Sequence, residues 1–465
     1  MSHNSIVITG IIVYVAILVV IVLISTRKGS KTTEAFAAAN RSLTFPMLTT
    51  FIMSVAVAST AVLGSTDWGT TQGIAGGWFT WSGGLGYIAA AFFSAKWYRK
   101  KKIITVPEAF GLEWGKETRV VAMIPMFVQG IIGFLCQIPL VTTVVAPLLG
   151  LTPETCYIIL PIFFLLLYVF AGVWGIAVTS IINFIVIWIG VFVGLFVSAD
   201  FAGGFSALST LPRSFFNPFN VSPMQLIAWA SSLLFGIYAV GTMVAGAKDE
   251  NVAKKATLCA GILTVIFGCI PVTIGMFAKV AFPDITNGVL SRLGMESSAG
   301  VHLVLIVGVA AAILSTLPHL LHMPSSIIVL DVIKGYFKPD LSSKSAVWLM
   351  RCVAVVMAIA GIFMAPVILR SGIMSTMMKS GQSSISAAIV LLVQIYGRPL
   401  SSKAAFWTIL IPVVVAIFWI IVPIWGLEPM YPSLLATLIV LPITMKKFPG
   451  PPRQKKEVSE ALPQR

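Results

Sequence analysis

The chain has 465 residues, of which 58% are hydrophobic and only 10% are charged. This composition excludes a soluble globular core and indicates helices that cross a lipid bilayer, where each segment must satisfy its own backbone hydrogen bonds. The net charge of +15 does not require a nucleic-acid partner, because basic cytoplasmic loops beside anionic lipid headgroups explain it.

Thirteen apolar stretches are each long enough to cross the bilayer as a helix. In chain order they cover residues 6–26, 45–68, 75–97, 119–148, 156–173, 175–199, 224–246, 256–282, 299–333, 346–369, 373–396, 404–423 and 429–446. The sequence therefore predicts an all-α polytopic membrane protein with about 13 transmembrane helices.

The basic residues indicate the orientation of these spans. Most lysines and arginines fall on one side, including the run from Lys96 to Lys102 and the tail after Lys446. The other side carries few, among them Arg213, Lys279 and Arg292. Because cytoplasmic loops are enriched in lysine and arginine, we expect a multi-pass cell-membrane protein with its N-terminus outside and its C-terminus in the cytoplasm.

Outside the spans the sequence suggests no soluble domain. No nucleophile–base pair, carboxylate dyad or phosphate-binding loop stands in a plausible context, so we expect neither enzymatic activity nor an organic cofactor. Cysteines and histidines do not show the spacing of a metal site.

The second span is unusually rich in small and hydroxylated residues. They are Ser54, Ser59, Thr60, Gly64, Ser65, Thr66, Asp67 and Gly69. Such a density favours either close helix packing or a broken helix whose carbonyls and hydroxyls line a cavity, and the sequence leaves both open.

The ninth span repeats this pattern. Ser315 and Thr316 are adjacent hydroxyls followed by Pro318, which removes a backbone donor and frees carbonyls upstream. Hydroxyls and freed carbonyls together suit a hard cation. A proline kink with serine bonding back to its own helix explains the same residues without an ion.

Several motifs resemble the sodium:solute symporter family, and their order and spacing carry the likeness over residues 34–398. They are Glu34-Ala-Phe-Ala-Ala-Ala-Asn40-Arg41-Ser42-Leu43, Ser59-Thr60-Ala-Val-Leu-Gly64, Gly73-Ile-Ala-Gly76, Thr105-Val-Pro107-Glu108-Ala-Phe, Tyr168 with Ala171-Gly172, Ala245-Gly-Ala-Lys248-Asp249, and Ala311-Ala312-Ile-Leu-Ser315-Thr316-Leu with Ser325-Ser326 and Leu330-Asp331.

The resemblance implies a leucine-transporter-type fold with two five-helix units related by an inverted repeat. The implied boundaries are an N-terminal helix and loop (1–44), a first repeat (45–200), an external loop (201–223), a second repeat (224–397), two C-terminal helices (398–447) and a cytoplasmic tail (448–465). Alternating access would then expose a central solute site to each side in turn.

The resemblance also implies a sodium site between the first core helix and the eighth. Carried over by position, its ligands are the carbonyls of Ser54, Val57 and Ala312 and the hydroxyls of Ser315 and Thr316. Two further positions depart from the family pattern: a polar residue is replaced by Ala56, and an aspartate is replaced by Ser180. Losing a nearby carboxylate weakens the attraction of a low-dielectric site for a cation.

We therefore expect sodium-coupled symport of a small organic solute into the cell, with the ion, the solute and the lipid bilayer as partners. One alternative is proton-coupled transport through His319 and His322, since histidine is readily protonated near neutral pH. Uncoupled transport by the same fold is a further alternative. A channel, or a solute sensor acting with a separate signalling partner, belongs to another class.

The candidate solute-binding side chains are few for a polyhydroxylated ligand. They are Ser59, Thr60, Gln129, Trp229, Ser232, Tyr238 and Lys379. Because unpaired polar groups are costly, this favours a small carboxylate, an amino acid or a betaine-like zwitterion. Lys379 would neutralise a solute carboxylate if it faces the cavity, and would reach for the membrane surface if it lies near the outer end.

Overall fold

A computed structural model of the protein describes residues 3–29, 32–371, 373–422 and 424–451. The α-helices, in chain order, are α1 (His3–Gly29), α2 (Thr33–Ala38), α3 (Phe45–Ala56), α4 (Ser65–Gln72), α5 (Trp78–Phe93), α6 (Ala95–Lys100), α7 (Val106–Trp114), α8 (Lys116–Leu149), α9 (Pro153–Phe201), α10 (Pro223–Ala230), α11 (Ser232–Val244), α12 (Glu250–Ala281), α13 (Val289–Glu296), α14 (Ala299–Ser326), α15 (Ser343–Ser371), α16 (Ile373–Gln382), α17 (Ile385–Tyr396), α18 (Ser402–Ile421) and α19 (Met430–Lys447). Segments Thr60–Gly64 and Ile327–Phe337 are π-helical. The prediction of an all-α polytopic protein is confirmed.

The structure does not confirm the predicted number of thirteen spans. Within the described residues, eight helices are long and apolar enough to cross a membrane, and a ninth is added if one bent pair counts as a single span. The predicted spans 156–173 and 175–199 both lie in the 49-residue α9, which continues without a break. The count of about 13 is therefore not confirmed.

The bent pair is the second predicted span together with the third. α3 ends at Ala56, the backbone of Val57 leaves the helical region (φ −94°, ψ 51°), and the chain resumes as a helix at Thr60. Phe45–Ala56 and Thr60–Phe93 meet at an angle of 55°. The small and hydroxylated residues of this span therefore lie on both sides of a break in the helix.

α14 forms the centre of the molecule. Every residue from Ala311 to Ser326 is buried, and the helix packs on α9, α8 and α1. Its backbone meets α9 where two glycines face each other: a methyl group built on Gly190 would lie 2.8 Å from the Cα atom of Gly308. This close approach is typical of small residues at membrane helix interfaces, and it holds the middle of α14 firmly in place.

Candidate functional site

The hydroxyl groups of α14 meet the end of α3 at the break. The Thr316 hydroxyl donates to the Ser54 carbonyl at 2.8 Å, and the Ser315 hydroxyl lies 3.4 Å from the same oxygen. Both hydroxyls are also within hydrogen-bonding distance of the Ala312 carbonyl, at 2.9 and 3.1 Å. Four of the five residues implied as cation ligands are thus in direct contact, and all four are buried.

Val57, the fifth residue, is buried at the break itself, one turn after Ser54. A cavity of about 10 Å³ adjoins these two residues and is lined by Met53, Ser54, Val57, Phe184, Ile187 and Trp188. None of Ala312, Ser315 and Thr316 is among its described lining residues, so this small space lies beside the cluster and does not contain it. The bonds of Ser315 and Thr316 to Ala312 also agree with the alternative of hydroxyls bonding back to their own helix.

Ser180 stands directly beside this cluster, where the family pattern has an aspartate. Its hydroxyl lies 3.1 Å from the hydroxyl of Ser54 and donates to the Ile176 carbonyl at 2.7 Å. The position that departs from the family pattern therefore lies beside the cluster. The oxygen atoms of the cluster belong to neutral hydroxyls and carbonyls.

A second, larger cavity of about 130 Å³ lies next to the break. Its walls come from the end of α3 and from α5, α8, α11, α14 and α16. The side chains with polar groups are Thr80, Tyr87, Gln129 and His319, whereas four methionines (Met243, Met323, Met377, Met378) and two phenylalanines (Phe79, Phe235) supply most of the remainder. None of the described lining residues is Asp, Glu, Lys or Arg.

The two histidines differ in position. His319 lines this central cavity, and its ring packs edge-on against Phe51 with centroids 5.5 Å apart. His322 lies away from the cavity, packed between Phe36 and Tyr168 at centroid distances of 5.8 and 6.0 Å. In the part of the chain that the structure describes, the Nδ1 atoms of both rings are buried without a hydrogen-bond partner.

Of the predicted solute-binding residues, only Gln129 is among the described residues that line the central cavity. The Ser59 hydroxyl donates to Gln137, and the Tyr238 hydroxyl donates to the Ala122 carbonyl. Trp229 stacks on Trp68 with centroids 5.3 Å apart. Their roles in solute binding stay predictions.

Three other predicted residues sit elsewhere or are not described. Thr60 is buried, and its hydroxyl has no partner among the described residues. Lys379 is half-buried on α16 and is not among the lining residues, although its neighbours Met377 and Met378 are. The side chain of Ser232 lies outside the described residues.

Sequence reasoning missed Thr80, Tyr87 and the four methionines of the lining. Methionine is common in ordinary packing, so nothing in the sequence marked these four as neighbours of one cavity.

A buried ion pair joins two of the motifs that carry the resemblance. The Asp331 carboxylate accepts a hydrogen bond from the Thr105 hydroxyl at 2.8 Å and pairs with the Arg119 guanidinium at 2.7 Å. Thr105 also caps α7, where it forms a reciprocal capping box with Glu108. The motifs at 105–108 and 330–331 therefore meet in space and tie α7 and α8 to the end of the ninth predicted span.

Comparison with known proteins agrees with these features. The sodium:solute symporter family model matches residues 36–412, and the chain belongs to this family of transporters. A curated relative, the sodium/glucose cotransporter of Vibrio parahaemolyticus, is 23% identical over 481 aligned positions, which cover 93% of this chain and 88% of the relative.

Solved structures show the same fold. A Na⁺-coupled sialic acid symporter in a substrate-bound, outward-open state superimposes with a TM-score of 0.81 at 15% identity, covering 98% of this chain and 99% of the other. The nucleobase-cation-symport-1 family transporter Mhp1, in a closed conformation with bromovinylhydantoin bound, superimposes with a TM-score of 0.58 at 15% identity, covering 91% of this chain and 96% of the other. The leucine-transporter-type fold expected from the resemblance is confirmed.

Proposed function

We propose that this protein is a secondary active transporter that carries a small organic solute into the cell together with sodium, by alternating access. The observation that supports sodium coupling best is the buried oxygen cluster of Ser54, Ala312, Ser315 and Thr316 at the break of α3. Membership of the sodium:solute symporter family and the likeness to a Na⁺-coupled symporter support the same ion.

Neutral oxygens are sufficient for a monovalent cation. Two hydroxyls and three carbonyls offer five oxygen ligands, and they carry no formal charge that would select a divalent ion. The cluster also joins α14 to the half of the broken span that ends at Ala56, so an ion there would hold together two elements that must separate during alternating access.

The composition of the central cavity supports a small solute with one polar end. A volume of about 130 Å³ is close to the roughly 150 Å³ of a cavity that holds one benzene molecule, so the solute is small. Four polar side chains among methionines and phenylalanines offer too few partners for a sugar with many hydroxyls. We therefore propose a carboxylate, an amino acid or a betaine-like zwitterion as the solute.

Purified protein in proteoliposomes tests this proposal. Labelled solutes of the three classes are supplied with an inward sodium gradient, with a proton gradient, or with neither. We expect uptake that saturates, runs uphill and requires sodium. Ser315→Ala and Thr316→Ala each remove one oxygen ligand and should raise the half-saturating sodium concentration about tenfold or more, if one ligand contributes about as much as a hydrogen bond to a charged group, ~1.5–3 kcal/mol.

Ser325→Ala is the matched control, because that buried hydroxyl bonds within α14 to the Leu321 carbonyl at 2.6 Å, away from the cluster. Uptake that does not depend on sodium would contradict sodium coupling. The same sodium dependence in all three variants would contradict the location of the ion at this cluster. A protein that binds solute without any flux would instead favour the sensor alternative.

Proton coupling is kept as a second candidate because His319 lines the central cavity. It requires uptake driven by a proton gradient without sodium and lost in His319→Ala. We also propose that the C-terminus is cytoplasmic; an epitope tag placed after Arg465 should then be reached by antibody only in inside-out vesicles.

A further inference from the structure

We propose that His319 and Gln129 together bind the carboxylate of the transported solute. The inference rests on the proposed function in one respect, namely that the central cavity is the solute site. It assigns the polar end of that cavity to two neutral side chains on α14 and α8, and it narrows the solute to a monocarboxylate or to a zwitterion that presents a carboxylate here.

The two side chains have hydrogen-bonding capacity that the protein does not use. His319 is only 2% exposed and lines the cavity, yet its Nδ1 atom has no partner and no hydrogen bond of its ring is found within the described residues. Gln129 also lines the cavity, and none of the hydrogen bonds found in the described ranges involves its amide. Buried polar groups are normally paired, so the unpaired His319 ring beside a cavity indicates a ligand, and the half-buried Gln129 amide is available to the same ligand.

The amide of Gln129 lies close to the residue that follows His319. A methyl group built on Gly133 would be 3.1 Å from the Leu320 Cδ2 atom and 4.0 Å from the Gln129 Nε2 atom. Gln129 and His319 line the same cavity and lie on two helices, α8 and α14, that pack on each other. A carboxylate has two oxygens and accepts one N–H bond from each side chain.

The neighbouring cation cluster explains why the ligand group is an anion. Thr316 and His319 are three residues apart on α14, a rise of roughly 4.5 Å. On α3, Ala56 lines the cavity and lies between Ser54 and Val57 of the cation cluster. With no ionised side chain among the described lining residues, a bound sodium ion leaves one uncompensated positive charge in a low-dielectric region. A solute carboxylate compensates that charge.

The remaining walls of the central cavity are apolar and suit the non-polar part of a solute. Methionine side chains adapt to ligand shape, and Phe79 and Phe235 add aromatic surface. Together with the volume of about 130 Å³, similar to the roughly 150 Å³ of a cavity that holds benzene, this points to a monocarboxylate of about seven non-hydrogen atoms or fewer.

The test measures binding to protein in lipid nanodiscs by calorimetry, in sodium chloride and in choline chloride. The probes are butyrate, isovalerate and L-alanine, each paired with its methyl ester, which keeps the body and removes the carboxylate. The variants are His319→Phe, which keeps a ring against Phe51, His319→Gln, which restores a donor, and Gln129→Leu. His322→Phe is the control, since that ring lies outside the cavity.

We expect at least one carboxylate to bind, and its ester to bind at least about tenfold more weakly, as expected for losing a hydrogen bond to a charged group. His319→Phe and Gln129→Leu should each weaken the carboxylate about tenfold or more, His319→Gln should recover part of the loss, and His322→Phe should match the wild type. Sodium binding without solute should be unchanged in all four variants.

The inference is overturned if none of the three carboxylates binds, if the esters bind equally well, or if both cavity variants bind like the wild type. A carboxylate that binds through His319 equally well in choline would support this inference while contradicting sodium coupling. Failure of the two proposals is therefore distinguishable.

Discussion

Ser180→Asp should increase the sodium affinity of this transporter. The Ser180 hydroxyl is 3.1 Å from the Ser54 hydroxyl. The Ser54 carbonyl in turn accepts a hydrogen bond from the Thr316 hydroxyl. A carboxylate at position 180 would lie on the order of 6 Å from an ion at the cluster, and at an effective dielectric constant of about 20 the attraction is about 3 kcal/mol. Burial of the new carboxylate offsets part of this, so we expect about a tenfold lower half-saturating sodium concentration.

The assay is sodium-dependent uptake into proteoliposomes, supported by the dependence of thermal stability on sodium concentration. Ser180→Asn is the matched control, because it has nearly the same volume as aspartate without the charge. The aspartate variant should also be less stable than the wild type when sodium is absent and should recover as sodium is added. Equal sodium affinity in the aspartate and asparagine variants would refute the electrostatic reasoning and the location of the ion beside Ser54.

Asp331→Asn breaks the ion pair with Arg119 and should cost about 2–3 kcal/mol of stability, less than for a fully buried pair because the arginine is partly exposed. Thermal unfolding of the protein in nanodiscs measures this loss. As a control, Arg292→Gln disrupts an exposed pair and should change stability by about 0.5 kcal/mol or less. Gly275→Ala should abolish folding or transport, because a methyl group there would lie 2.0 Å from the Thr66 carbonyl oxygen. Gly300→Ala, with nothing within 4 Å, should behave like the wild type in yield and uptake, and equal yields of the two variants would contradict this packing.

Hydropathy predicted the helical membrane class, but it did not determine where long apolar stretches divide. Residues 156–173 and 175–199 were expected as two spans, yet α9 runs through both. Gly172 and Gly175 flank this boundary, and each glycine costs about 1 kcal/mol relative to alanine, which is too little to end a helix. Conversely, Val57-Ala58-Ser59 contains neither glycine nor proline, and the helix breaks there.

The candidate cation cluster followed from the resemblance rather than from periodicity, since Ser54 and Thr316 are far apart in the chain and meet through tertiary packing. The central cavity was harder to predict. Successive residues on a helix point about 100° apart, so a run such as Met377-Met378-Lys379 does not reveal which side chain faces inward. In the structure the two methionines line the cavity and the lysine does not.

The four methionines of the central cavity have a consequence for selectivity. Their side chains are unbranched and rotate freely, so this wall can reshape around different bodies, whereas a polar end made of fixed hydrogen bonds cannot. A carrier of this kind discriminates strictly by functional group and loosely by skeleton, so solutes that share a head group should compete for it. The half-buried thioethers of Met377 and Met378 are the more accessible to oxidation, and their conversion to sulfoxides would place polar acceptors in that wall and reduce uptake of apolar skeletons first.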